Sequence, residues 1–141
     1  VGGRALLLPE ASEELAAAGF LHDVVEDTFD DVQTGYNAIR ETFGSYVAGI
    51  VLELTQPPKS VGNRNFRKNL YHDSLKVASR EARLLKLLDR IDNLGEMGPD
   101  DFMVVYTKES RHLLEAIGWT DDALASELDT IIRNYEVNRG R

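Results

Sequence analysis

The chain has 141 residues, 43% of them hydrophobic, which suits one domain around one core. A formal net charge of −8 argues against fold-wide attraction to nucleic acid, while leaving room for a cation site or a local basic pocket. Cysteine is absent, which excludes disulfides and thiolate metal sites and fits a reducing compartment such as the cytoplasm; no signal-peptide pattern is present, and no apolar run reaches the roughly 20 residues that cross a bilayer.

In chain order the sequence reads as helices. Pro9 with Glu10, Glu13 and Glu14 resembles a helix start, with acidic groups near the positive end of the helix dipole. The Ala-rich run Leu15 to Val25 continues it. A second helix is predicted over Val32–Phe43, with Gly44 placed to end it, and a third over Tyr46–Leu54, stopped by Pro57-Pro58. The polar stretch Pro57 to Asn65 reads as a loop. Helical pattern resumes at Phe66 and runs to Leu94 with a break near Ser79. Within it Leu84, Leu87, Leu88 and Ile91 recur at i, i+3, i+4 and i+7, the mark of one buried face. Gly95, Gly98 and Pro99 end that helix. Two more helices are expected near Lys108–Ile117 and Thr120–Tyr135, the last with a cap region at Thr120 to Asp122. The expected fold class is all-α, as a single domain.

Two clusters of ionisable residues stand out. At about 100° per residue, His22, Asp23, Glu26 and Asp27 share one arc of a helix, while Leu21 and Val25 point to the other side. Three carboxylates so close repel one another unless a cation or a shared proton intervenes. Further along, Lys86, Asp89 and Asn93 share a face away from the leucine stripe, with Lys86 at i−3 and Asn93 at i+4 from the aspartate. If the two helices pack together, His22, Asp23 and Asp89 form a nitrogen-and-oxygen ligand set suited to Mn²⁺, Fe²⁺ or Zn²⁺. The same residues also fit a solvated helix face, or an aspartate paired with Arg90. On periodicity alone that plainer reading is the default.

The motifs change the balance. The stretch Leu21 to Thr28, LHDVVEDT, resembles the His-Asp motif of HD-domain phosphohydrolases of the RelA/SpoT type, which hydrolyse ppGpp. Phe43-Gly44, Val47-Ala48, Leu54-Thr55 and Phe66-Arg67-Lys68 resemble later blocks of that family, and Leu85 to Leu94, LKLLDRIDNL, resembles its second signature. The resemblance implies a compact helical HD-domain bundle and a metal-dependent hydrolysis of a small nucleotide, most closely (p)ppGpp 3′-pyrophosphate release. It makes His22, Asp23 and Asp89 ligands of a divalent metal, Mn²⁺ being usual. It makes Glu26 and Asp27 the acidic pair that handles water and protons, and places Asn93 at the substrate; Lys86 either faces a substrate phosphate or holds the helix through an ion pair. Arg90 is read as structural. No membrane or nucleic-acid partner is expected.

Three departures accompany the resemblance. The family's first metal-ligating His lies upstream of the doublet, and none precedes His22; the expectation is that it lies before Val1, in a natural N-terminal segment the sequence lacks. Asp92 stands where the family usually has His, and Gly95 and Glu96 replace Arg- and Thr-type residues. These leave open another nucleotide or phosphate ester as substrate, or a catalytically degenerate HD module that only binds. His72 and His112 match no ligand position and read as surface or core residues. The basic group Arg64, Arg67 and Lys68 fits either extra phosphates or a solvated face.

Overall fold

Short polar signals set where each helix begins and ends in the computed structural model, which describes residues 13–21, 31–96 and 101–139. Helix α1 spans Glu13–Leu21, with Glu13 and Glu14 in its first turn. Helix α2 spans Val32–Phe43; the Asp31 carboxylate caps it, accepting from the Thr34 amide at 2.7 Å and from the Thr34 hydroxyl at 2.8 Å. Gly44 closes α2 at φ +93°, a conformation that costs glycine little and a side-chain-bearing residue much more. Its amide returns to the Arg40 carbonyl at 2.9 Å. Helix α3 follows at once, Ser45–Leu54, and buries Val47, Ala48, Ile50, Val51 and Leu54.

A single 3₁₀ turn, Lys59–Val61, crosses the loop to α4, Arg64–Lys76. Helix α4 starts at Arg64 rather than Phe66 because Asn63 caps it, accepting from the Phe66 amide at 2.9 Å. Helix α5 is Arg80–Glu96, α6 is Asp101–Ile117, and α7 is Asp122–Arg139 after a 3₁₀ turn at Gly118–Thr120. Among the described residues there is no strand. The break expected near Ser79 is held from a distance. The Glu53 carboxylate of α3 accepts from the Ser79 amide at 2.6 Å and from its hydroxyl at 2.8 Å. Glu53 thereby satisfies an otherwise orphaned amide at the start of α5. Glu53→Ala is expected to lower stability by roughly 1–3 kcal/mol, read from the urea midpoint at constant slope.

Helix α6 begins at Asp101, well before the predicted Lys108. Its first turns carry Met103 and Thr107, both buried; the adjacent β-branched pair Val104-Val105 weakened the helical signal of that stretch. The last helix is capped by Asp121, which accepts from the Leu124 amide at 2.9 Å. Thr120 instead lies buried in the turn, where its hydroxyl accepts from Arg83 at 3.0 Å.

Helix α5 is the axis of the bundle. It packs against α3, α4, α6 and α7, while α1 and α2 pack on α3. The four predicted leucine and isoleucine positions are buried, and so are Leu85 and Leu94. Lys86, Asp89 and Arg90 are buried too, so the middle of α5, residues 84–91, is enclosed on every side instead of along one stripe. Each buried leucine contributes about 1.5–3 kcal/mol of transfer free energy. Three ionisable groups on the same helix must be matched by partners.

Candidate active site and the HD family

Two partners of Asp89 come from its own helix. Its carboxylate accepts from the Lys86 ammonium at 3.1 Å and faces the Asn93 amide at 3.4 Å. The i−3 and i+4 spacing seen in the sequence therefore becomes a physical cluster on one face of α5. Lys86 also lies 5.3 Å from the centroid of the Tyr71 ring on α4. Tyr71 is fixed in turn by its hydroxyl, which donates to the Leu54 carbonyl at the end of α3 at 2.6 Å. Asn93 remains exposed and accessible to a ligand, whereas Lys86 and Asp89 are buried. Arg90 turns away from Asp89 toward α6, donating to the Ser110 hydroxyl at 3.0 Å and lying 4.2 Å from the Tyr106 ring centroid. Asp89 therefore pairs with lysine and not with its neighbouring arginine.

Helix α1 ends at Leu21, which packs against the core immediately before the His-Asp doublet. His22, Asp23, Glu26 and Asp27 themselves lie outside the described residues. Among the described residues, no three His, Asp or Glu side chains gather as a metal site, and Asp89 is the one expected ligand in view. A buried carboxylate beside an exposed amide is compatible with a hard or borderline cation.

A second constellation joins Arg64 and Lys68 of the basic group to residues of α6 that the sequence did not connect with them. Between α4 and α6 lies a cavity of about 440 Å³, lined by Arg64, Lys68 and His72 on one side and Lys108, Glu109 and His112 on the other. Their spacings, i, i+4, i+8 on α4 and i, i+1, i+4 on α6, put each set on one helix face. That periodicity was the available signal. The two histidines meet Nδ1 to Nδ1 at 2.6 Å, so one ring donates and the other accepts. His72 is fully buried. Burial, then the facing His112 and the cations Arg90, Lys86 and Lys68, push its pKa down to about 3.

This depression has a consequence for acid stability. His72 is neutral in the fold but titrates near 6.5 when unfolded, so its contribution is complete above pH 6.5. It is lost as pH falls from there toward 3. Between pH 7 and pH 5 the wild type is expected to lose about 2 kcal/mol more than His72→Phe, measured by urea titration at the two pH values.

The HD domain family model matches residues 3–94, well over half of the chain. The chain belongs to the HD domain family. This HD domain is 36% identical over 85 residues to the guanosine-3′,5′-bis(diphosphate) 3′-pyrophosphohydrolase MESH1 of Drosophila melanogaster, covering 60% of this chain and 44% of that protein. It is 34% identical over 98 residues to a probable chloroplastic GTP diphosphokinase, RSH3, of Arabidopsis thaliana, covering 64% of this chain and 13% of that one. The HD domain thus spans less than half the length of these curated relatives. Among solved structures it resembles a metazoan ortholog of SpoT described as hydrolysing ppGpp, with a TM-score of 0.73 and 28% identity over 87% of this chain and 70% of that one. It also shares its fold with lmo0812 of Listeria monocytogenes, with a TM-score of 0.73 and 22% identity over 96% of this chain and 91% of that one.

Proposed function

We propose that this HD domain is a metal-dependent phosphohydrolase of a small nucleotide, acting as a (p)ppGpp 3′-pyrophosphohydrolase. One observation carries the reading: the family match over residues 3–94 takes in both the His22-Asp23 doublet and the buried Asp89 cluster of α5. The 36% identity to a pyrophosphohydrolase of guanosine bis(diphosphate) supports the substrate.

In this mechanism His22, Asp23 and Asp89 would hold a divalent cation, with Mn²⁺ the proposed ion, and it would supply Lewis acidity toward water and a phosphoryl oxygen. The chain's own groups do the rest. Glu26 and Asp27 orient the attacking water, accept its proton and return one to the departing nucleoside oxygen, so that ppGpp and water give GDP and pyrophosphate. Lys86 holds the Asp89 carboxylate in place through the 3.1 Å ion pair, and Asn93, exposed at the open side of the cluster, contacts the substrate. Charge developing on phosphoryl oxygens is met by fixed donors rather than by reorienting water. The proposed setting is the cytoplasm; no described helix is long and apolar enough to cross a membrane.

A second reading rests on Asp92, Gly95 and Glu96, where the α5 signature departs from the RelA/SpoT pattern. It keeps the chemistry and changes the substrate to another nucleotide or phosphate ester. Chromatographic assay of the metal-free protein carrying its natural N-terminal segment, against ppGpp and a nucleotide panel with and without added Mn²⁺, separates the two. Mn²⁺-dependent appearance of GDP and pyrophosphate supports the first. Turnover confined to other nucleotides selects the second, and no turnover of any substrate refutes both.

A further inference from the structure

The cavity between α4 and α6 collects positive charge in a protein whose formal net charge is −8. Among the described residues that line it, Glu109 is the single carboxylate, and Arg64 already occupies both of its oxygens, at 2.7 and 2.8 Å. Neither Lys68 nor Lys108 has a carboxylate of the described residues within ion-pair distance. Lys68 is buried, and its ammonium donates to a neutral acceptor, the Gln56 amide oxygen at 2.5 Å.

A buried cation without a counter-ion is costly, and here it lies among other cations. Arg64, Lys86 and Arg90 all act on Lys68 electrostatically in the direction that disfavours its charge. Surplus positive charge and the nearby Asn65 and Asn69 amides suit a ligand rich in acceptor oxygens. The volume of about 440 Å³ admits a phosphate or a diphosphate with its hydration water. None of Lys86, Asp89 and Asn93 lines it, so it is distinct from the cluster on α5.

We propose that the α4–α6 cavity is a second binding site, which takes a free oxyanion of the phosphate or diphosphate class between Lys68 and Lys108. The site needs no metal and no turnover, so it stands or falls separately from the hydrolase reading. Lys68 supplies a desolvated charge at the inner wall and Lys108 an exposed charge at the opposite helix.

The test is calorimetric titration of inorganic pyrophosphate, and separately of inorganic phosphate, into metal-free protein. Wild type and Asp89→Asn are expected to bind with equal affinity. Lys108→Ala, a change at an exposed position that leaves the core intact, is expected to weaken binding about tenfold, and Lys68→Gln by at least as much. Loss of binding in Asp89→Asn would assign the ion to the α5 cluster and overturn the proposal. Absence of binding to wild type, or affinity unchanged in Lys108→Ala, would overturn it as well.

Discussion

Asp89→Asn is expected to reduce Mn²⁺-dependent hydrolysis at least a hundredfold while leaving the helical content unchanged. Even outer partners of a metal ligand typically cost 10–100-fold when removed, and Asp89 is proposed as a ligand itself. Asparagine has nearly the same shape and keeps one acceptor oxygen, which the Lys86 ammonium retains, while the longer 3.4 Å contact from Asn93 is given up. Asp89→Ala is expected to lose the same activity and also about 1–3 kcal/mol of stability, because the buried Lys86 ammonium then loses its ion pair. Comparing the two variants by single-turnover assay and urea denaturation separates the chemical role from the structural one. An Asp89→Asn protein with near wild-type turnover would remove Asp89 from the metal site.

The second large effect has the opposite sign. Lys68→Met is expected to stabilise the protein by roughly 2 kcal/mol at pH 7. Burial first, then Lys86, Arg64 and Arg90, bring the Lys68 pKa from 10.5 down to about 8. The unfolded chain therefore holds this proton more tightly than the folded one. Stability rises as pH increases from 8 to 10.5, and the full cost of the charge is present at pH 7. Methionine fills the same volume and needs no partner beyond the apolar stem it replaces. The gain over wild type should be largest near neutrality and shrink above pH 9, checked by thermal melts across that range. A loss of stability at pH 7 would mean that the Gln56 contact outweighs the desolvation.

Local signals were the legible ones. Gly44 and Pro57-Pro58 act within a few residues of where they stand, and the helix ends fall there. The Lys86, Asp89 and Asn93 face was readable for the same reason, since i−3 and i+4 spacing needs only helical geometry. What was hidden depends on pairing between helices. Glu53 and Ser79 are 26 residues apart, and His72 and His112 are 40 apart, so neither contact leaves a periodic trace. The burial of Lys68 was masked by its neighbours: Arg67, Asn69 and Asp73 make α4 look solvated, while Tyr71, His72 and Leu75 face inward. The enclosure of α5 on all sides was obscured because Lys86, Asp89 and Arg90 read as an outer face.

That enclosure decides how the molecule breathes. A helix with neighbours around its whole circumference has no solvated side from which to fray, so its central amides should exchange with deuterium only when the entire domain opens. Peptides covering residues 84–91 would then report the global unfolding free energy, while those from α2 exchange through smaller excursions. Asp89 rides on the last element to let go. Any ligand it helps to hold is anchored to the most persistent part of the structure, and tight binding there raises the cost of opening every other helix with it.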